Sequence, residues 1–247
     1  MRGDRIPERP EGVEQADAPR DRPNDVGART VEPRAARWHP GQMEGDAERL
    51  LAALEPHVPD PRVLAAIALV PRTAFVAPEL AGRAWENVPL PIGEGQTISQ
   101  PLVVARMLSL LELDPNDRVL DVGTGSGWHA ALLSRLAGEV WGIEHHPALV
   151  AHAREALAAV GIQGVRIVCG DGARGLPEHG PWDAINVAAA AREGIPPALE
   201  QQLAPGGRLV APVGTGDAQS LWRVRRTPDG GLHREEHEPV RFVPLVS

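Results

Sequence analysis

The sequence predicts an α/β fold built on a mainly parallel sheet, and three observations carry that reading. Five short, almost uninterrupted apolar segments recur in the second half of the chain: 118–122 (RVLDV), 139–143 (EVWGI), 165–169 (VRIVC), 183–188 (DAINVA) and 207–213 (GRLVAPV). Strands that are apolar at nearly every position are expected where both faces of a sheet are covered. Helical patterns near 128–137 and 147–160 separate the first three segments, and strand–helix–strand alternation implies right-handed parallel crossovers. Finally, 219–226 (QSLWRVRR) and 239–245 (PVRFVPL) flank a turn at Asp229-Gly230-Gly231 with no helix between them. They are expected as an antiparallel pair at one edge of the sheet.

The elements ahead of the sheet follow from local chemistry. Residues 1–44 are rich in Pro, Arg, Asp, Glu and Gly, with apolar residues scattered singly. Such a segment buries too little surface to offset its ordering entropy and is expected to stay a solvated tail. Leu50, Leu51 and Leu54 fall on one helical face. A second helix fits Arg62–Leu69, between Pro61 at its start and Pro71 beyond its end. Residues 71–95 read as a long irregular stretch rich in Pro and Gly, of the kind that is often functional. Pro101 opens a third helix, with Val104, Met107, Leu108 and Leu111 as its apolar stripe. The chain therefore divides into a tail (1–44), a helical and loop segment (45–117) and a sheet domain (118–247).

Composition narrows the chemistry. At 43% hydrophobic and 23% charged residues, most of the 247-residue chain should fold. All 25 basic residues are arginine, so Schiff-base lysine chemistry and a P-loop lysine are excluded. There is no tyrosine, and the single cysteine, Cys169, rules out an internal disulfide and a multi-cysteine zinc site. Cys169 itself reads as a buried strand-end residue. A net charge of −8 disfavours a broad nucleic-acid footprint. No apolar run approaches the ~20 residues of a membrane span, and no secretory signal pattern opens the chain. A soluble cytoplasmic monomer is the expectation.

The strongest local signal is Asp121-Val122-Gly123-Thr124-Gly125-Ser126-Gly127, which ends a strand and opens a helix. Glycines there let backbone approach a ligand at the carboxyl edge of the sheet. The spacing is G-x-G-x-G with an acid two residues ahead. That carboxylate would repel a pyrophosphate but suits a ligand bearing an ammonium group, as S-adenosylmethionine does. Glu144 ends the next strand, about 20 residues on, where an acid accepts from both ribose hydroxyls. Asp171 and Gly172 follow the third strand, placing another acceptor within reach of an adenine amino group.

Beyond this loop the chain resembles the protein-L-isoaspartate O-methyltransferases. The resemblance lies in Val70-Pro71-Arg72 with Phe75-Val76, Pro89-Leu90-Pro91-Ile92-Gly93, and Gly95-Gln96-Thr97-Ile98-Ser99-Gln100-Pro101. It continues through Gly170-Asp171-Gly172, Gln202-Leu203 with Gly206-Gly207, Pro212-Val213-Gly214 and Pro239–Leu245, covering about residues 46–247. The resemblance implies a seven-stranded class I methyltransferase (Rossmann-like) sheet with helices on both faces and residues 45–117 as part of a substrate cap. It implies S-adenosylmethionine as methyl donor and isoaspartyl proteins and peptides as partners. It places the active-site serine at Ser99, and cofactor contacts at Gln96, Thr97, Ile98, Ser99, Glu144, His145, Asp171 and Gly172, beside Asp121, Gly123, Thr124 and Gly125 of the loop. Some positions depart from the family pattern. Trp128-His129 stands where many members have Tyr-Gln, Val104 where some have a histidine, and Val187-Ala188-Ala189-Ala190 replaces a usual V-T-A-A.

The implied reaction needs no general base, because a carboxylate is already ionised at neutral pH. Ser99 would orient the acceptor, and at Ser99 the sequence also allows the N-cap of the helix opening at Pro101. Other readings are a carboxyl or O-methyltransferase for a small molecule or a dedicated peptide, a non-catalytic regulator that binds an adenosine ligand, and an NAD-linked oxidoreductase, the last weakened by the loop spacing. Asn186-Val187-Ala188-Ala189 after the fourth strand lacks the D/N-P-P-Y pattern of base methylation.

Overall fold

Two layers of apolar side chains, one on each face of a seven-stranded sheet, organise the chain. The computed structural model describes residues 44–246. The expected tail lies outside these residues apart from Glu44, which begins helix α1 (Glu44–Leu54). Helix α2 (Pro61–Leu69) has Asp60 as its N-cap, accepting from Arg62 N at 2.9 Å, with Pro61 in the first turn. Helix α3 (Pro101–Leu111) buries Val104, Met107, Leu108 and Leu111, the stripe its periodicity predicts.

The expected irregular stretch contains a small hairpin. Strand β1 (Leu90–Gly93) pairs antiparallel with β2 (Gln96–Ile98). Gly93, Glu94 and Gly95 all have positive φ at its tip. Two-stranded pieces this short carry almost no periodic signal, and their stability comes from what they pack on.

The main sheet contains β3 (Arg118–Val122), β4 (Glu139–Glu144), β5 (Arg166–Cys169), β6 (Trp182–Val187), β7 (Leu203–Thr215), β8 (Ala218–Arg226) and β9 (Leu232–Pro239), in the order β5-β4-β3-β6-β7-β8-β9. The first five named are parallel, and β8 and β9 run antiparallel to their neighbours. Helices α4 (Trp128–Leu133) and α5 (Pro147–Ala159) connect β3 to β4 and β4 to β5, and α6 (Pro197–Gln201) precedes β7.

The antiparallel edge pair is present, but its outer strand is Leu232–Pro239, not 239–245. Leu232–Pro239 is highly polar and pairs along β8 through backbone bonds and charge. Arg223 Nε lies 2.7 Å from Glu235, Arg234 meets Glu200 at 2.7 Å, and Arg106 meets Glu238 at 2.6 Å. Charged side chains on an edge also discourage pairing with another chain. The apolar 239–245 segment is instead the last crossing of the sheet's ligand edge, tied to it by Ala190 N to Val243 O (2.8 Å) and Leu245 N to Ala190 O (2.9 Å). Cys169 is exposed rather than buried, since β5 is the opposite edge strand.

Alternation along each central strand feeds the two layers. Val119, Val140, Ile167, Ala184 and Val210 pack with α1–α5 and with Phe75 and Trp128. Leu120, Val122, Ile143, Ile185, Val187 and Leu209 pack with Trp182, Leu176 and Leu199 of α6. Helices thus cover both faces unequally, and the α6 face is completed by 3-10 turns at Gly172–Arg174 and Pro177–His179. Among the described residues, no helix is long and apolar enough to cross a membrane.

Candidate active site

The strand order reverses beside β3, whose neighbours are β4 and β6. In open α/β sheets a ligand crevice forms at the carboxyl ends of strands at that point, and here the glycine loop fills it. Gly125 (φ +56°) would place a Cβ 3.2 Å from Ile92 Cδ1, and Gly127 (φ +92°) one 3.1 Å from Ala153 Cβ. Both positions combine a left-handed backbone with close neighbours, so neither accepts a side chain cheaply. The loop is anchored to β4: Gly123 N donates to Ile143 O at 2.9 Å, and Gly125 N to Glu144 Oε2 at 2.8 Å. Glu144 Oε1 accepts from His146 N at 2.9 Å. Each carboxylate oxygen keeps a second lone pair for a ligand hydroxyl.

A cleft of two joined lobes opens above this loop. The larger, of about 490 Å³, is lined by Ile92, Gln96 and Thr97 of the hairpin, Gly123 and Gly125, Glu144, His145 and His146, Gly172, and Val243–Val246. The smaller, of about 300 Å³, is lined by Thr97, Ile98, Ser99, Val104, Gly123, Thr124, Gly125, Ser126, Trp128 and His129. Thr97, Gly123, Gly125 and Ala188 border both. Ten of the twelve residues singled out in the sequence line one lobe or the other.

The two exceptions are acids. Asp171 caps the turn at Gly172–Arg174, accepting from Ala173 N at 2.9 Å. Asp121 is fully buried beneath the loop. Its Oδ1 accepts from Asn186 Nδ2 at 2.7 Å, while Asp121 Oδ2 and Asn186 Oδ1 have no partner. Burial pushes the Asp121 carboxyl up to about 7, helped by the charge of Glu144 and opposed by hydrogen bonds from Asn186 and Thr124. Burial likewise holds His129 down to about 4, so its imidazole is neutral at pH 7.

Ser99 lines the small lobe but does not cap α3. The N-cap is Gln100, and Asn87 Oδ1 accepts from Leu102 N at 3.0 Å from a distant loop. The Ser99 segment is held by Arg72, which is fully buried. Its guanidinium donates to four carbonyls: Ala84 (2.7 Å), Glu86 (3.3 Å), Val88 (2.9 Å) and Ser99 (3.0 Å). Arg72 also stands 5.2 Å over the Trp128 ring. Neither Arg72 nor Asn87 carries a local signal of this role, because their partners lie 12–27 and 15 residues away. Val243–Leu245 lie in PVRFVPL, which the sequence marks as part of the family resemblance and as apolar, a character that also fits a strand.

A sheet of this order, with a glycine-rich loop after β3 and an acid closing β4, defines the class I methyltransferase fold. Residues 46–247 match the family model described as protein-L-isoaspartate(D-aspartate) O-methyltransferase, and the chain belongs to that family. It is 52% identical over 189 residues to the protein-L-isoaspartate O-methyltransferase of Aeropyrum pernix, covering 75% of this chain and 72% of that one. With the enzyme of that name from Anaeromyxobacter dehalogenans it shares 53% identity over 189 residues, covering 76% and 90%. A solved Plasmodium falciparum structure assigned to the same activity, in complex with S-adenosyl-L-homocysteine, superposes with a TM-score of 0.69 at 25% identity, covering 81% of this chain and 98% of that chain. A second protein-L-isoaspartate O-methyltransferase structure gives 0.72 at 28% identity, covering 81% and 66%.

Proposed function

We propose that this chain transfers a methyl group from S-adenosylmethionine to the side-chain carboxylate of L-isoaspartyl residues in proteins and peptides. The observation that carries the reading is that the Gln96–Ser99 segment and the glycine loop border the same two-lobed cleft. The residues fit an adenosine ligand with an amino-acid arm. Glu144 in the large lobe offers free lone pairs to the ribose hydroxyls. The buried Asp121 carboxylate, with one oxygen unpartnered, favours an ammonium group close by. Gly172 and His145 border the adenine end, and Asp171 caps the turn that begins at Gly172. When bound, the donor supplies an electrophilic methyl on a sulfonium.

The chain's own contribution is placement and exclusion of water. The β1–β2 hairpin and the Val243–Val246 segment both line the large lobe. Ser99 orients the acceptor carboxylate, whose oxygen attacks the methyl carbon as the carbon–sulfur bond breaks. No proton moves. The backbone amide nitrogen that follows then attacks the ester carbonyl, loses its proton and expels methanol to give a succinimide, which water opens in part to normal aspartate. The exposed single thiol of Cys169 fits a reducing compartment such as the cytoplasm.

The direct test is radiolabelled methyl transfer to an isoaspartyl peptide and to its aspartyl twin; equal rates on both would sink the repair reading. Ser99→Ala should lower turnover on the isoaspartyl peptide about 10–100-fold, the worth of one positioned hydrogen bond, with a smaller effect on donor binding. Turnover at saturating donor should be flat above about pH 6, since the acceptor ionises near 4 and His129 is already neutral. A rate that rises with an apparent pKa near 7, and still does so in Asp121→Asn, would demand a base and overturn this mechanism.

Glu144→Ala should weaken S-adenosylhomocysteine binding by about 1.5–3 kcal/mol, the scale of hydrogen bonds to a charged acceptor. The change also frees Gly125 N and His146 N from their partner. Unchanged affinity by calorimetry would remove Glu144 from the ribose.

A further inference from the structure

We propose that His129 is a positioning residue that donates a hydrogen bond to the carboxylate of the methyl donor's amino-acid arm, an inference that rests on the donor assignment above. Glu144, His145 and Gly172 border the large lobe, which commits the nucleoside to that side. The arm must then run past Gly123 and Gly125 into the small lobe. That lobe contains no arginine, and its side chains are Thr97, Ile98, Ser99, Val104, Thr124, Ser126, Trp128, His129 and Ala188. Val104 and Ile98 are apolar. Thr124 Oγ1 already donates to Asp121 O at 3.1 Å, and Trp128 Nε1 faces Val70 O at 3.5 Å. The imidazole of His129 is the remaining side-chain nitrogen.

His129 is 6% exposed, and its Nε2 is buried without a hydrogen-bond partner. A buried polar atom left unpaired costs free energy, and native folds rarely carry one without a use. A ligand carboxylate at the small lobe gives it that partner. The packing around the imidazole keeps it neutral, so it presents one N–H and one lone pair. The N–H suits a carboxylate. Asp121 lies buried under the same loop and acts on the arm's ammonium only through its charge, which leaves His129 as the direct contact to the arm.

The test compares two ligands that differ only in that arm: S-adenosylhomocysteine, and 5′-methylthioadenosine, which keeps the nucleoside and the sulfur. Both are titrated calorimetrically into the full chain, into His129→Leu and into His129→Gln. His129→Leu should weaken S-adenosylhomocysteine roughly tenfold, the worth of one such hydrogen bond, and leave methylthioadenosine within about twofold. His129→Gln, which keeps a donor at similar reach, should recover most of the loss. Equal losses for both ligands, or none for S-adenosylhomocysteine, would overturn the assignment. Should the leucine variant fail to fold, histidine-labelled wild-type protein decides by NMR, with the His129 signal identified by its disappearance in His129→Gln. That signal should shift with S-adenosylhomocysteine and stay with methylthioadenosine; no shift with the former refutes the proposal. A wild-type chain that binds neither ligand would instead refute the donor assignment itself.

Discussion

Replacing Arg72 with methionine should cost the fold about 3–5 kcal/mol, a loss at the upper end of single substitutions. The guanidinium is the donor to carbonyls of Ala84, Glu86, Val88 and Ser99. Methionine fills much of the same volume but donates to none of them. Each buried acceptor left unpaired costs about 1–3 kcal/mol, and water entering the gap recovers a part. The charge itself is not cheap to bury, since desolvation pulls the Arg72 pKa down to about 10, with only the charge of Glu86 opposing it. Arginine is nevertheless the side chain that reaches four acceptors at once, because its planar fork carries five N–H groups. Arg72→Lys should recover only part of the loss, since an ammonium has three donors and no fork. Denaturant titration with an unchanged midpoint in Arg72→Met would show that the clamp is idle. Because one of the four carbonyls belongs to Ser99, turnover should fall further in both variants than binding of the donor at the glycine loop.

That clamp marks where the sequence stops being informative. Segments whose partners are local or periodic were legible: β3 and β8 fall within a residue of expectation, and the loop from Asp121 to Gly127 announces itself by glycine spacing. The place of Glu144 at the end of β4, bordering the cleft, was legible because the strand pattern ends on it. The misreadings share a cause in long-range contact. PVRFVPL and LHREEHEP exchange places in the edge reading, because apolarity signals burial without saying what does the covering. In the first it is the ligand cleft. The second is held as a strand by β8 and by cations on Arg223, Arg234 and Arg106. Asn87 takes the capping role that Ser99 might have held, and no spacing rule connects residue 87 to residue 102. His129 reads in the sequence as an ordinary departure from the family pattern, and only the fold places it in the small lobe with its Nε2 unpartnered.

Asp121→Asn should make the protein more stable above pH 7 and a poorer binder of the methyl donor. Burial holds the wild-type carboxyl up at about 7 in the fold, against an ordinary 3.8. The folded state therefore keeps a proton that the unfolded chain has released between about pH 4 and 7. Stability from this group is present below pH 4, declines as pH rises through 7, and stays lost above it. At roughly 1.4 kcal/mol for each pH unit of difference, the deficit above pH 7 is about 4 kcal/mol. Asparagine removes the titration. It also offers an amide hydrogen to Asn186 Oδ1, now without a partner, while its own oxygen still accepts from Asn186 Nδ2. His129 acts with the opposite sign. Its folded pKa of about 4 lies below 6.5, so its contribution is present above pH 6.5 and lost as pH falls through 4. The two slopes offset one another in the wild type, and the variant should expose the histidine slope, its advantage small at pH 4 and growing toward pH 8. The same substitution removes the buried anion beneath the loop that the donor's arm crosses, so S-adenosylmethionine affinity at pH 8 should drop about tenfold, the scale of roughly 1.4 kcal/mol of lost charge attraction. In the wild type near pH 7, donor binding should release protons, because the ammonium favours the ionised carboxylate. Calorimetry in buffers of different ionisation enthalpy would detect that release, and Asp121→Asn should abolish it. A variant no more stable than wild type at pH 8, or one that binds the donor unchanged, would show that Asp121 is a structural acid and that the loop recognises its ligand without it.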